Sequence, residues 1–312
     1  MFSTRPTRSS DMLQKTQAFA HSNHCQPVTN KLHGKWPLNI DLLKIQYDAL
    51  QRNDLLNFQQ PYFEKYGPTF ELDLLGARGF TTTDPVNLEA MYNSMIQDWV
   101  MGSRREGLFP LIGEGIFCQD GEAWKHSRAL LRKQFARLEY SDLTTFEEYV
   151  EALVERFASP NDVVDLQPAF FDFTLATTTA LLFGEAVDTL GEAKRAEFSD
   201  HFDHGTFVCA MRLRLADLCW LYTPAAFKKS CKVVKRFADF FVQQALSCQK
   251  TQGQDRASEQ YPFILDLYES VQDPQLVRDQ LVNVLLAGRD TTACSMSWAL
   301  YVVAVFTPVG TG

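Results

Sequence analysis

One long apolar segment near the C-terminus constrains the fold of this chain more than any other feature. It opens at Asp273-Pro274, runs to about Tyr301, and is apolar on almost every side. A single helix of this length would span about 40 Å, which is the full width of a domain. Apolar side chains all round a helix indicate burial, so the segment predicts a helix that crosses the middle of a helical protein.

Inside this segment lies the hexapeptide Ala287-Gly-Arg-Asp-Thr-Thr292, in which an acid stands beside two hydroxyls. A glycine in mid-helix lowers the stability of the helix by about 1 kcal/mol relative to alanine. The close approach of a flat cofactor to the backbone at Gly288 would compensate for this loss. Thr291 can donate its hydroxyl to the carbonyl of Ala287, one turn back, and loosen the helix there. A loosened turn can hold water, from which Asp290 could relay protons.

An alternative interpretation of the same hexapeptide is that two helices meet in it. Gly288 would then end the first helix, and Asp290 or Thr291 would cap the second. The hexapeptide alone leaves both interpretations open.

A second pair of residues, Trp124 and Arg128, lies in a predicted amphipathic helix that runs through Phe135. Residues four apart share one face of a helix. An indole N–H and a guanidinium side by side are donors suited to a buried carboxylate. The alternative is a cation–π pair on the surface of a helix that is simply basic.

The rest of the chain predicts a mainly α protein with a small N-terminal β element. Residues 70–74 alternate apolar and polar side chains, a turn follows at Gly76 to Gly79, and residues 80–83 are strand formers, which together predict a β-hairpin. Beyond Gly121 the pattern is helical almost throughout.

Composition excludes several classes of function. The chain has 312 residues, of which 46% are hydrophobic and 22% charged, which suits one large core or two domains. The net charge is -8 and no long basic run occurs, so a nucleic acid is not an expected partner. The seven cysteines form no CxxC pair, which favours reduced thiols over a disulfide framework or a zinc site.

The first 35 residues are rich in Ser, Thr, Gln and His and predict a disordered leader. They contain no apolar block of the roughly 20 residues that a membrane span requires.

The two motifs together resemble the cytochrome P-450 family of haem-thiolate monooxygenases. Trp124-x-x-x-Arg128 is followed about 160 residues later by Ala287-Gly288-x-Asp290-Thr291-Thr292, which is similar to that family in order and spacing. Residues 108–117 and 124–135 resemble more closely the fungal branch that hydroxylates n-alkanes and fatty acids. The resemblance runs from about Tyr62 to Tyr301.

The resemblance implies a role for each matching residue. Trp124 and Arg128 are expected to bind the haem propionates, and Ala287 and Gly288 are expected to lie over the haem face. Asp290 and Thr291 would form the acid–alcohol pair of oxygen activation. The expected substrate contacts are Phe109, Phe117 and Trp220. The implied partners are haem, NADPH-cytochrome P-450 reductase and an aliphatic substrate. The resemblance also implies a location at the endoplasmic reticulum membrane. Because no anchor segment is found in the sequence, the expected location of this chain is the cytoplasm.

Two family elements are missing from the sequence, and they limit these expectations. The E-x-x-R helix and the haem-ligating cysteine segment, which would follow the long helix, are absent, so no metal ligand is assigned. We therefore expect an incomplete cytochrome P-450 fold over residues 36–301, followed by a non-family tail over residues 302–312. Two functions stay open: an aliphatic hydroxylase, and a truncated helical fragment without activity that binds haem weakly or not at all.

Overall fold

The computed structural model describes residues 10–22, 25–52, 54–139, 144–157, 164–184 and 191–306. The described residues are mostly helical, with one small sheet near the N-terminus. The predicted fold class is therefore confirmed. The chain divides into two compact units, residues 1–107 with 211–222 and residues 108–210 with 223–312.

The first unit contains the sheet. Its strands are β1 (Lys31–Leu32), β2 (Thr69–Leu74) and β3 (Ala77–Thr82), and its helices are α1 (Ser10–Ser22), α2 (Ile40–Gln51), α3 (Leu55–Tyr66), α4 (Pro85–Glu89) and the start of α5 (Ser103–Ile112). Strands β2 and β3 are antiparallel, with Leu72 opposite Gly79, which confirms the predicted hairpin. Leu75 and Gly76 both have positive φ, as a two-residue hairpin turn requires.

The predicted disordered leader differs from the structure after residue 9. Helix α1 and strand β1 both lie within residues 1–35, and β1 pairs in parallel with β2. Leu32 is buried and Lys31 Nζ lies 3.0 Å from Glu71 Oε1, so a polar composition did not prevent this segment from joining the sheet. Residues 1–9 and 23–24 of the leader lie outside the described residues.

The second unit is helical. Its helices are α6 (Gly121–Glu139), α7 (Thr144–Glu155), α8 (Leu166–Phe183), α9 (Glu192–Leu215), α10 (Ala225–Gln252), α11 (Gln254–Gln260), α12 (Pro262–Val271) and α13 (Pro274–Phe306), and the last residues of α9 belong to the first unit. Aromatic side chains fill much of its core: the rings of Phe183 and Phe241 are stacked 4.7 Å apart. No helix among the described residues combines the length and the hydropathy of a bilayer span.

Helix α13 is continuous, so the two-helix interpretation of the hexapeptide is wrong. The helix opens with Asp273, whose Oδ1 accepts a hydrogen bond from Gln275 N at 2.9 Å. It ends at Phe306 rather than at Tyr301, because no glycine or proline interrupts residues 302–306. The predicted tail is thus helical for its first five residues, and residues 307–312 lie outside the described residues.

Candidate functional site

The N-terminal half of α13 carries three buried polar side chains that hold the loop between α5 and α6. The bonds are Glu114 N to Asp279 Oδ2 at 2.8 Å, Ile116 N to Gln280 Oε1 at 3.2 Å, Phe117 N to Asn283 Oδ1 at 3.0 Å, and Asn283 Nδ2 to Ile112 O at 2.9 Å. Buried polar groups cost free energy unless they are paired, and here each side chain pairs with backbone of the loop. One face of α13 therefore fixes residues 112–117, which we call the clamped loop.

Two glycines allow this loop to lie against the helix. A Cβ atom at Gly113 would lie 2.1 Å from Asp279 Oδ2, and one at Gly115 would lie 2.0 Å from Asn283 Nδ2. Gly113 also has φ +66°, which favours glycine. No role was predicted from the sequence for Asp279, Gln280 and Asn283, and the glycines at 113 and 115 were the signal that could have revealed a close approach.

The clamped loop, α6 and α13 enclose an open groove of about 610 Å³, here called the α6–α13 groove. Its lining combines apolar side chains with two guanidinium groups: Ile116, Phe117, Arg128, Leu131, Arg132, Phe135, Asn283, Val284 and Ala287. The structure thus brings together three of the predicted site residues, Arg128, Phe117 and Ala287. It adds Arg132, one helical turn after Arg128, as a second cation at the same groove.

Trp124 lies beside Arg128 but does not line this groove. The Arg128 Cζ atom is 5.7 Å from the centre of the Trp124 ring, as the cation–π interpretation predicts. Trp124 lines a neighbouring basic depression with Lys125 and Lys133, and Arg128 and Arg132 line both this depression and the groove. Its predicted role in binding a carboxylate stays a prediction.

The acid and the alcohol of the hexapeptide line a different groove from Ala287. Thr291 Oγ1 donates to Ala287 O at 2.6 Å, which confirms the predicted bond across one helical turn. Asp290, Thr291, Cys294 and Trp298 line an open, mainly apolar groove of about 1090 Å³ against Gln167 and Phe171 of α8. We call it the α8–α13 groove. The hydrogen bond from Thr291 to Ala287 therefore joins a lining residue of one groove to a lining residue of the other.

Asp290 is half-buried at the edge of the α8–α13 groove. Burial raises the pKa of its carboxyl group above the usual range, although the neighbouring guanidinium of Arg289 opposes this shift. A carboxyl group whose pKa is raised by burial holds its proton more readily than an exposed one, which suits it to accepting and releasing protons.

Gly288 faces α8 rather than the α6–α13 groove. A Cβ atom at this position would lie 3.0 Å from Thr178 Oγ1 and 3.1 Å from Thr178 Cγ2. The missing side chain lets α13 pack closely against α8, which the sequence did not predict, and the role of Gly288 in cofactor binding stays a prediction.

Arg289 is a residue of the hexapeptide to which the sequence analysis assigned no role. It is 2% exposed. It makes two contacts with the carboxylate of Asp203 on α9, one of them from Nη2 to Oδ2 at 3.2 Å. Nη2 donates to Ser199 Oγ at 3.1 Å, and Nη1 lies 3.2 Å from Asp290 Oδ1. Only the folded chain shows this site, because its partners come from a helix far away in sequence.

The three predicted substrate contacts lie in different surroundings. Phe117 lines the α6–α13 groove. Phe109 packs against the main hydrophobic core, with Lys235 Nζ 5.8 Å from the centre of its ring. Trp220 is an exposed residue of the first unit. Their role in substrate binding stays a prediction.

Comparison with known proteins assigns the family. The sequence model of the cytochrome P450 family matches residues 32–305. The chain belongs to the cytochrome P450 family. This P450 chain is 38% identical over 299 residues to a cytochrome P450 of Arthroderma benhamiae, covering 94% of this chain and 56% of the relative. It is 37% identical over 246 residues to cytochrome P450 52A4 of Candida maltosa, covering 75% of this chain and 45% of the relative.

Two solved cytochrome P450 structures share the fold of this P450 chain. One is the 6-coordinated cytochrome P450 of Thermus thermophilus, with a TM-score of 0.51 and 17% identity, covering 78% of this chain and 57% of that structure. The other is the retinoic acid-bound cyanobacterial CYP120A1, with a TM-score of 0.59 and 16% identity, covering 80% and 55%. The P450 chain thus spans about half the length of the relatives it matches.

Proposed function

We propose that this chain belongs to a haem-dependent monooxygenase that hydroxylates aliphatic chains, such as n-alkanes or fatty acids, with O2 and electrons from a reductase. One observation carries the proposal. The α6–α13 groove joins Arg128 of the first motif to Ala287 of the second, although about 160 residues separate them in sequence.

The chemistry of this groove fits one part of a haem. A porphyrin is a flat apolar ring that carries two propionates, and the groove offers apolar side chains with two guanidinium groups, Arg128 and Arg132. Guanidinium groups form strong, charge-assisted hydrogen bonds with carboxylates. The nine lining residues include no cysteine, so they offer the ring and its propionates a place but provide no thiolate for the iron.

A bound haem would supply the iron at which dioxygen is reduced and cleaved. The residues of the chain would hold and deliver the protons. Thr291 Oγ1 donates its own proton to Ala287 O, which leaves its lone pairs free to accept a hydrogen bond from a water molecule. Asp290 Oδ would exchange protons with such water, and burial, which raises the pKa of its carboxyl group, favours uptake of a proton relative to an exposed aspartate.

The substrate, the partner and the location follow from the family in this proposal. An aliphatic substrate suits the apolar lining of the groove, in which Phe117 is the predicted contact. NADPH-cytochrome P-450 reductase is the proposed electron donor, and the endoplasmic reticulum membrane is the proposed site of action.

Titration of the 312-residue chain with ferric protoporphyrin IX tests the proposal. We expect weak but saturable binding, followed by the visible absorbance of the porphyrin. The substitution Arg128→Ala should weaken it about tenfold, because a hydrogen bond to a charged group contributes about 1.5–3 kcal/mol. Arg256→Ala removes an exposed arginine of α11 as a matched control and should bind as the wild type does. Equal binding by all three chains, or no saturable binding by the wild type, contradicts the proposal.

The second candidate function is a helical fragment without activity of its own, and the lack of a cysteine in the groove favours it. Addition of CO to the reduced, porphyrin-loaded chain separates the two candidates. A fragment without the thiolate should lack the absorbance typical of thiolate-ligated haem. That absorbance in this chain would show that one of its own cysteines ligates the iron.

A further inference from the structure

We propose that Arg289 is a positioning residue whose charge is neutralised by Asp203, which leaves Asp290 free to exchange protons at the α8–α13 groove. The inference deepens the proposed function and rests on it for the purpose of that exchange. The contacts between these three side chains are independent of haem.

Arg289 is a buried cation, and its burial costs free energy. Its side chain is 3% exposed, and an arginine side chain stays protonated even when it is buried. A buried cation without a counter-ion is strongly destabilising, so Arg289 requires a carboxylate. Its guanidinium also lies over two aromatic rings, with Cζ 5.0 Å from the Phe171 centre and 5.4 Å from the Phe202 centre. These rings, from α8 and α9, hold the guanidinium in one place.

Two carboxylates, Asp203 and Asp290, lie within reach of the Arg289 guanidinium. Asp203 receives contacts from both terminal nitrogens of Arg289, one to each carboxylate oxygen, which is the bidentate geometry that arginine favours. Asp290 receives a single contact of 3.2 Å. Ser199 accepts a further bond from Nη2 and adds no charge. The geometry therefore assigns the charge of Arg289 mainly to Asp203.

Asp290 has few other charged neighbours. The charged side chains that act on it are Arg289 on its own helix and Asp203 on α9. From α8 the groove contains Gln167 and Phe171, which do not ionise, and α13 itself adds Cys294. An Asp290 that was the principal partner of Arg289 would be held as the anion. With Asp203 as that partner, Asp290 can take up a proton without leaving a buried cation uncompensated.

The titration midpoint of Asp290 in the full chain tests this inference. Aspartate labelled at 13Cγ reports each carboxyl by NMR, and Asp290→Asn assigns the signal. In Asp203→Asn the midpoint should fall, because Arg289 then has Asp290 as its remaining carboxylate and the repulsion from Asp203 is lost. Asp200→Asn removes the same charge from an exposed position on α9 and should leave the midpoint where it is.

A double substitution tests whether Asp203 acts on Asp290 through Arg289. In Arg289→Met the midpoint should rise, and in Asp203→Asn/Arg289→Met it should return close to the wild-type value. If Asp203→Asn alone unfolds the chain, a folded double variant still supports the inference, since the double variant has no buried cation that requires a counter-ion. A double variant that also fails to fold contradicts it, because Asp203 would be needed for another reason. Equal midpoints in Asp203→Asn and Asp200→Asn overturn it, whether or not ferric protoporphyrin binds.

Discussion

The two halves of α13 lie in opposite surroundings, although they belong to one continuous helix. In the N-terminal half Val277, Leu281 and Leu285 are at most 1% exposed, and even the polar side chains between them are buried. In the C-terminal half Trp298 is 62% exposed and Phe306 is 75% exposed. Burial is therefore decided by the neighbours of the helix rather than by its own hydropathy. Polar residues are tolerated inside because each has a partner, whereas apolar residues outside form a patch that favours association.

The largest effect on stability should come from the polar side chains of the buried half. Asn283→Leu removes the bonds to Ile112 and Phe117, and it leaves the buried Ile112 carbonyl without its donor and the Phe117 N–H without its acceptor. We expect the free energy of unfolding to fall by about 3 kcal/mol, since an unsatisfied buried polar group costs about 1–3 kcal/mol. Urea denaturation measures the loss. Thr292→Leu, at an exposed position of the other half, should change stability by less than about 0.5 kcal/mol, and equal losses would remove the contrast.

A smaller effect is expected where α13 packs against α8. Gly288→Val should lower the free energy of unfolding by about 1–3 kcal/mol, because the new side chain would crowd Thr178. Addition of Thr178→Ala should restore part of the loss, as a thermal or urea double-mutant cycle can measure. Ala299→Val enlarges a small exposed residue of the C-terminal half as the control. A Gly288→Val chain as stable as the control would show that the two helices do not meet closely here.

The boundary between the halves should give a pH-dependent effect. The pKa of Asp290 is raised, mainly by burial, so the folded chain binds this proton more tightly than the unfolded chain does. The contribution is complete below the ordinary aspartate pKa and is lost as the pH rises through the raised value. Asp290→Asn should therefore gain stability relative to the wild type between acidic and neutral pH. Asp200→Asn should show no such gain, and a pH-independent difference for Asp290→Asn would contradict the assignment.

The smallest effect on stability is expected at the end of the exposed half. Trp298→Lys should change the free energy of unfolding by less than about 0.5 kcal/mol, because the side chain is already largely in solvent. It should nevertheless reduce concentration-dependent association, which sedimentation velocity can follow. Trp36→Lys is the matched control, since Trp36 is 57% exposed in the first unit. If both substitutions reduce association equally, the patch on α13 is not its cause.

The sequence was sufficient for features that depend on local periodicity. Length and apolarity predicted α13, and the four-residue spacing predicted the bond from Thr291 to Ala287. Alternation of side chains and a turn signal predicted the hairpin of β2 and β3. In each case the interacting residues are close in sequence, so a pattern over a few positions contains the required information.

The features that were missed depend on partners distant in sequence. Asn283 lies 166 residues from Phe117, and Arg289 lies 86 residues from Asp203. Nothing near either residue shows that a polar group within an apolar run will find a partner. The packing role of Gly288 was missed for the same reason, because Thr178, which it accommodates, belongs to another helix.

Hydrogen exchange measured by mass spectrometry, with and without saturating ferric protoporphyrin IX, tests the central claim most directly. The claim is that the buried half of α13 and the clamped loop, rather than the exposed half, form the haem-binding surface. We predict slower exchange in residues 112–117, 128–135 and 283–287, with little change in residues 294–302. Protection confined to residues 294–302, or no protection at saturation, would contradict the account.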